Sequence, residues 1–396
     1  MEQRPVIKEE DRDKVAIVVV GYNRIAPLSR LLTSLQNADY KISGVPLYIS
    51  IDCSGDEELY EYVDKFVWNH GNKYLNIQNE RLGLRNHIIQ CGDLTQFFKA
   101  IILLEDDIYV SEYFYKYVID AIDFYGDDDK IGGISLYQHE MWNGNLPILY
   151  CQGDSDTYLW QHPASWGECW TKKQWSTFRE WYDKFEDSEF QEIDMPEYMK
   201  RWNKAWSKYF MAFLIQTDRY FVFPYISLTT CFGDAGEHSN SSSMLGQTTL
   251  LAGERNFKFC NSDLLMQYDI YGVNQNIYNW IGISKQDLCV DWYGNNNNIR
   301  RCRFLLTTFK LPLTIVRTYG LFLKPIDLNV KLKIKGEGIY LYDCEENIIK
   351  TADLKLPLSN IKYYLKAFNI NYLTKYVLKY YYTRILYKFR LTNQKF

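Results

Sequence analysis

The chain has 396 residues and a mass of 47.1 kDa, enough for one large core or two domains. Its hydrophobic content of 47% and charged content of 24% are ordinary for a globular protein, so a largely disordered chain is excluded. The net charge of −4 hides an asymmetry: the residues from 354 onward hold nine Lys and Arg and no Asp or Glu. The remainder carries 36 basic against 49 acidic residues, and we expect no nucleic-acid partner.

Cysteine usage and the chain start bear on the compartment. The nine cysteines are scattered, without a CxxC pair or a Cys/His cluster, so they give no sign of a zinc site. The start MEQRPVIKEEDRDK is too charged for a signal peptide, and no apolar run approaches the ~18–20 residues that cross a bilayer. We therefore expect a cytoplasmic protein with reduced thiols.

The first two thirds of the chain alternate predicted strands with predicted helices. Apolar, β-branched runs predict strands at 15–20, 46–51, 74–77, 101–104, 131–137 and 220–224. Periodic apolar residues predict helices from Pro27, over 57–67, after a polar loop at 79–86, from an N-cap at Ser111 to 125, and around 197–215. This order predicts an α/β fold, a mainly parallel sheet flanked by helices, with ligand sites at the carboxyl ends of strands.

The pattern changes beyond about residue 255. We predict a catalytic domain over 1–255 and an α+β accessory region over 256–396. Alternation over 330–342 (VKLKIKGEGIYLY) predicts a strand, and the Tyr-, Leu- and Lys-rich last forty residues predict helices.

Three adjacent carboxylates follow the buried strand at 101–104, namely Glu105, Asp106 and Asp107. Such charges require water or a positive partner. Asp52 also follows a predicted strand, which predicts one shared site. Hard oxygen ligands at a sheet edge suit Mg²⁺ or Mn²⁺ bridging a diphosphate. A solvated loop before the next helix is the other interpretation of the triplet.

Several segments together resemble GT-A-fold glycosyltransferases, in particular the N-acetylglucosaminyltransferase I family and related bacterial family 2-type enzymes. The resemblance covers about residues 14–245, and each of its short motifs is weak alone. The six segments, in the family's order, are VGYNR, YISIDCSGDEE, RLGLRNHI, ILLEDDIYVSEYFYKYV, HPASWGECW and FPYISLTTCFGDAGEHS.

The resemblance implies roles for individual residues. Asp107 would ligate the metal, and His238 would contact the metal or the diphosphate. Asp52 would accept from the base, and Arg85 would offset phosphate charge. The remaining implied residues are Gly21, Asn23 and Arg24 in the nucleotide loop, Glu105 and Asp106 on sugar and ribose hydroxyls or metal-bound water, and Trp166 on the acceptor side.

This chain departs from the family's pattern at the position of the general base. Bacterial relatives often carry WDxxW, but this chain has Asn203 between Trp202 and Trp206, and an amide cannot take up a hydroxyl proton. Glu168 is the first alternative, since it lies near the place where GT-A enzymes with a WGGED motif hold a catalytic acid. Asp154, Asp156 and Asp234 are further candidates.

These features predict a metal-dependent inverting transferase that moves a sugar from a nucleotide-sugar, with UDP favoured, to a carbohydrate acceptor. The acceptor would be a bacterial surface polysaccharide or its lipid-linked precursor. Basic residues spaced four apart in the tail predict contact with anionic lipid at the inner face of the plasma membrane, or else a helical hairpin packed on the protein. The alternatives are a nucleotidyltransferase, which would normally have a Gly-rich basic loop after the first strand, and a non-catalytic carbohydrate-binding protein.

Overall fold

The computed structural model describes residues 5–142, 146–148, 150–203, 205–236, 246–296, 301–344, 358–365 and 369–393. The strands are β1 (Val15–Gly21), β2 (Leu47–Ile51), β3 (Lys73–Ile77), β4 (Ala100–Glu105), β5 (Ile108–Val110), β6 (Ile131–Ser135), β7 (Met141–Trp142), β8 (Leu146–Pro147), β9 (Thr157–Trp160), β10 (Glu168–Thr171), β11 (Tyr220–Pro224), β12 (Thr229–Cys231), β13 (Gln267–Tyr268), β14 (Leu288–Asp291), β15 (Phe304–Thr307), β16 (Thr314–Gly320) and β17 (Gly338–Asp343). The helices are α1 (Ile25–Gln36), α2 (Glu57–Lys65), α3 (Gly83–Gly92), α4 (Phe114–Tyr125), α5 (Lys172–Tyr182), α6 (Glu197–Lys200), α7 (Trp206–Gln216), α8 (Ile277–Ile281), α9 (Asp327–Lys331), α10 (Leu358–Tyr364) and α11 (Ile370–Asn393).

The main sheet has the spatial order β13-β9-β11-β6-β10-β4-β1-β2-β3. Strands β4, β1, β2 and β3 are parallel to their neighbours within this block. Strand β10 lies antiparallel between β4 and β6, so that β6 and its parallel neighbour β11 point in the same direction as β4. Strand β9 runs antiparallel to β11 and carries the short edge strand β13.

Both faces of this sheet are buried, as the continuous apolar runs of its strands require. In β1, Ala16, Val18 and Val20 pack into the core on one face, with residues of α3, α5 and α7. Val15, Ile17 and Val19 pack into the opposite core, with residues of α1, α2 and α4. Helices therefore cover both faces, and the α/β class predicted from the sequence is confirmed.

A second sheet of the order β14-β15-β17-β16 lies after residue 255. Its residues Val290, Leu306 and Leu341 belong to the same core as the α3, α5 and α7 face of the main sheet. Residues after 255 also supply β13 to the main sheet. The division at residue 255 thus stays a prediction.

Some predicted elements differ from the structure. The predicted loop at 79–86 includes the first turn of α3, which begins at Gly83. The predicted strand over 330–342 is helix α9 at its start, and the strand begins only at Gly338, after Lys333 adopts a positive φ of 50°. Ser111 does not cap α4, because its hydroxyl donates to the Leu251 carbonyl at 2.6 Å and the helix begins at Phe114.

The C-terminal helices were predicted correctly in type. Of α11, the side chains of residues 370–386 are described and all are exposed, including Tyr376, Leu378 and Tyr381. Within the described part of the chain, no helix combines the length and the apolar character needed to span a membrane.

Candidate active site

The strand ends of the parallel block meet at one edge of the sheet. Val20 of β1 pairs in register with Glu105 of β4, and Gly21 pairs with Ile51 of β2. The loops that follow these strands surround a cleft of about 380 Å³. The predicted site residues that line it are Gly21, Asn23, Arg24, Asp52, Glu105, Asp106, Asp107 and Trp166. The structure therefore brings eight predicted residues together, and their binding roles stay predictions.

The positive partner of the acidic triplet is Arg24. Its Nε donates to Asp106 Oδ2 at 3.1 Å and its Nη2 donates to Asp106 Oδ1, which makes a two-pronged pair. Its Nη1 lies 3.4 Å from Asp107 Oδ2, a longer contact. These carboxylates, Asp106 first, raise the pKa of Arg24 against the opposing effect of burial, so the guanidinium stays charged.

The segment after β12 closes over the triplet. Strand β12 pairs with β5, and the Phe232 amide donates to the Asp107 carbonyl at 2.9 Å. Arg30 of α1 forms an ion pair with Asp234 and lies 3.9 Å from the centre of the Phe232 ring. Arg24 also donates to the Asp234 carbonyl at 3.2 Å. Residues 232–236 are thus tied to α1 and to the triplet.

Asp52 holds the start of α3. Its Oδ1 accepts from the Leu82 amide at 2.8 Å and the Cys53 amide at 2.9 Å, and its Oδ2 accepts from the Gly83 amide at 2.9 Å. Such contacts satisfy amides that a helix start leaves without partners. This structural role was not predicted, because nothing in the sequence pairs position 52 with positions 82 and 83.

His87 is a cleft residue that sequence reasoning missed. Its Nε2 lies 2.7 Å from the Ser50 hydroxyl, and burial lowers its pKa to about 4, against the opposing charge of Asp52. The imidazole is therefore neutral near pH 7. The only sequence signal is its place inside the RLGLRNHI segment, one turn after Gly83.

Glu105 and Glu168 form a carboxyl pair on the α3, α5 and α7 face of the sheet. Burial, and then the charges of Asp107 and Asp106, raise the pKa of Glu105 to about 8, against the opposing charge of Arg24. Burial and then Glu105 raise the pKa of Glu168 well above its ordinary value. Among the described residues, no group hydrogen-bonds either carboxyl oxygen of Glu168. Burial without a hydrogen-bond partner therefore favours the neutral, protonated carboxyl of Glu168.

The position of Glu168 counts against its predicted role as the base. It is the first residue of β10, paired with Leu103 and Ser135 in the middle of the sheet, and its exposed fraction is 0%. A general base has to reach the proton that it removes. Glu105 stands beside it and does line the cleft.

Two other predicted site residues lie elsewhere. Arg85 donates to the Tyr209 hydroxyl, with its guanidinium 5.0 Å from the centre of that ring, and is not among the described cleft residues. Asn203 is exposed in the turn between α6 and α7, three residues before Trp206. His238 lies outside the described residues.

Trp166 belongs to an aromatic group at the cleft wall. Its ring centre lies 4.7 Å from that of Tyr137 and 5.4 Å from that of His139. Burial lowers the pKa of His139 well below its ordinary value, so this imidazole is uncharged. The next residue, Gly167, has a φ of +113°, and a Cβ added to it would lie 2.9 Å from the Thr229 methyl. Trp166 is thus held by a turn that requires glycine.

The residues present fit a divalent cation only together with a bound diphosphate. In the part of the chain that the structure describes, no group of three His, Cys, Asp or Glu side chains could hold a metal alone. Arg24 donates to both carboxylate oxygens of Asp106, whereas no described residue donates to Asp107 Oδ1. Mg²⁺ is usually held by one or two carboxylates plus substrate phosphates, so the free oxygen of Asp107 fits this donor set.

No family model and no curated protein sequence matches this chain. Residues 1–349 of S. aureus TarS in complex with UDP-GlcNAc resemble it at 14% identity and a TM-score of 0.35, over 55% of this chain and 57% of that one. GalNAc-T7 with UDP, GalNAc and Mn²⁺ resembles it at 13% identity and a TM-score of 0.37, over 55% of this chain and 43% of that one. The chain thus spans just over half of TarS 1–349, and this likeness shows neither a shared family nor a shared activity.

Proposed function

We propose that this chain is a metal-dependent, inverting GT-A-type glycosyltransferase that moves a sugar from a UDP-sugar to a carbohydrate acceptor of bacterial surface polysaccharide synthesis. The observation that carries the proposal is the convergence of Arg24, Asp52 and the acidic triplet on one cleft at the carboxyl ends of β1, β2 and β4. Ligands of α/β sheets bind at such strand ends.

The chain's residues would divide the work of binding the donor. Asp52, which follows β2, and His87 of α3, which contacts Ser50 of β2, would face the nucleoside. Asp107 would hold Mn²⁺ or Mg²⁺ together with the diphosphate. When bound, the cation would supply positive charge where the leaving diphosphate becomes more negative. Trp166 would offer a ring face to the acceptor sugar.

The proton of the acceptor hydroxyl requires a base in the cleft. The oxygen of that hydroxyl would attack the anomeric carbon from the face opposite the diphosphate, and the bond from carbon to the diphosphate oxygen would break. We assign the proton to Glu105 rather than Glu168, since Glu105 lines the cleft and has a pKa of about 8. Such a value suits a group that takes up and releases a proton near neutral pH.

The test is a donor panel. The full chain is incubated with nucleotide-sugars, Mn²⁺ and candidate saccharide acceptors, and released nucleotide and joined sugar are measured. We expect UDP release that depends on acceptor and is lost in EDTA. Pyrophosphate release from a nucleoside triphosphate would instead indicate a nucleotidyltransferase, and saccharide binding without any release would indicate a binding protein.

We also propose that α11 holds the enzyme against an anionic membrane surface. The exposed Lys375, Lys379 and Arg384 stand among exposed Tyr and Leu side chains on this helix. Each basic residue near such a surface contributes ~1 kcal/mol. We expect the double variant Lys375→Gln, Lys379→Gln to sediment less with phosphatidylserine vesicles at low salt. The matched control replaces Lys99 and Lys173 by Gln, and equal sedimentation of the two variants would contradict the proposal.

A further inference from the structure

The side chain of Arg24 lies between Asp106 and Asp107 and is largely buried there. Its side chain is 21% exposed and faces the cleft. The chain passes close above it, because a Cβ on Gly236 would lie only 3.0 Å from Arg24 Nη1. The guanidinium thus occupies a built position between β4 and the segment after β12.

We propose that Arg24 is an internal counter-ion that keeps free divalent cations from Asp107 and passes to the donor's diphosphate when nucleotide and metal bind together. This inference rests on the proposed function and adds to it an order of binding. Metal alone would bind weakly, and the nucleotide would bring it in.

The contacts of Arg24 are unequal in a way that allows an exchange. Two of its nitrogens donate hydrogen bonds to Asp106, whereas its contact with Asp107 Oδ2 is 3.4 Å long. One guanidinium between two carboxylates leaves a net charge of −1, which still attracts a cation. The guanidinium, however, repels that cation at close range. A unit charge of the same sign a few ångströms away lowers the affinity for the cation by at least about tenfold.

A diphosphate is a suitable new partner for the guanidinium. Its planar fork of donors matches phosphate oxygens as well as it matches a carboxylate. Asp107 is the carboxylate that this movement would release, because its contact is the longer one. Asp106 would keep Arg24 attached to the end of β4.

The experiment measures Mn²⁺ binding by electron paramagnetic resonance, on the full chain and with Mn²⁺ alone. We expect Arg24→Met to bind Mn²⁺ at least about tenfold more tightly than the wild type. The matched control is Arg30→Met, which removes the same charge from α1 at a residue that contacts Asp234 and Phe232 instead. It should change Mn²⁺ affinity by less than about threefold, since its charge is farther from the triplet.

Two further variants keep the outcome decisive. Adding Asp107→Asn to Arg24→Met should remove the gained Mn²⁺ affinity. If Arg24→Met fails to unfold cooperatively in a thermal melt, Arg24→Gln takes its place, since it also removes the positive charge but keeps a polar side chain; we then expect the same gain. Unchanged or weaker Mn²⁺ binding in the folded variant overturns the inference.

Calorimetry with UDP separates this inference from the proposed function. If both hold, Arg24→Met loses at least about tenfold in affinity for UDP measured at saturating Mn²⁺. Tighter Mn²⁺ binding together with no UDP binding by any form of the protein would support the counter-ion and refute the nucleotide-sugar function. UDP binding equal in wild type and Arg24→Met would refute the transfer of Arg24 to the diphosphate.

Discussion

Replacing Glu168 by Gln tests the carboxyl pair under the cleft. In the unfolded chain the Glu168 carboxyl ionises near its ordinary pKa of ~4.3. In the folded protein, burial and then Glu105 hold that pKa well above this value. The folded state therefore keeps a proton that the unfolded state releases, and the free energy of unfolding falls as pH rises above ~4.3. It stops falling once the pH passes the raised folded pKa.

The magnitude follows from proton linkage. One proton held only by the folded state lowers the free energy of unfolding by ~1.4 kcal/mol for each pH unit within this window. Gln cannot ionise, so Glu168→Gln should lack this slope. Its amide, buried without partners, lowers stability by about 1–3 kcal/mol at every pH, which shifts the whole profile without tilting it.

The assay is urea unfolding of both proteins at intervals from pH 5 to pH 8, with the free energy extrapolated to water at each pH. We expect the wild-type profile to fall more steeply than that of Glu168→Gln, while turnover stays within about threefold because Gln resembles the protonated acid in shape and charge. Parallel profiles would show that Glu168 is ionised in the folded protein, and a hundredfold loss of turnover would restore it as the base.

Three other results are expected. Asp107→Asn should reduce turnover by about a thousandfold, equivalent to ~4 kcal/mol of transition-state stabilisation, with an unchanged melting temperature; normal turnover, or full activity in EDTA, would exclude the metal. The pH–rate profile of kcat/KM should rise through about pH 8, since Glu105 has to lose its proton to act as a base, and Glu105→Gln should abolish this limb along with most of the activity. Gly92→Ala should destabilise the protein by about 1–3 kcal/mol in urea unfolding, because its Cβ would lie 2.0 Å from the buried Trp175 ring, whereas Gly253→Ala, with open space around it, should be neutral.

The sequence predicted that Gly21, Asp52 and Glu105 lie together, because their positions depend on local patterns. The runs before Gly21, Asp52 and Glu105 are apolar enough to require buried strands, and parallel strands bring their carboxyl ends to one edge. A metal ion beside the triplet was predicted and stays a prediction, whereas the ion pair of Arg24 with Asp106 was not predicted. Arg24 and Asp106 are 82 positions apart in the chain, and local sequence patterns do not indicate which distant residues pair.

The position of Glu168 was harder to predict for a related reason. Glu168 follows Gly167 in a segment that the resemblance assigns to the acceptor, so it was the first alternative for the general base. Side chains of a strand alternate between faces, and only the register of β10 against β4 shows that Glu168 lies on the face of Glu105, inside the core. The start of α3 was missed because its first turn is polar and is held by Asp52 from another loop.

The reversed direction of β10 also affects how this protein could be re-engineered. The strand begins, rather than ends, at the edge where β4 and β6 end. The Trp166 turn therefore reaches that edge from the opposite direction to the loops after β1, β2 and β4, on a separate stretch of chain. Under the proposed acceptor role of Trp166, exchanging residues before Gly167 would change which saccharide is accepted while leaving the loops after β1, β2 and β4 intact. A graft limited to this turn is thus a compact route to new linkages, provided that Gly167 and its contact with Thr229 are kept.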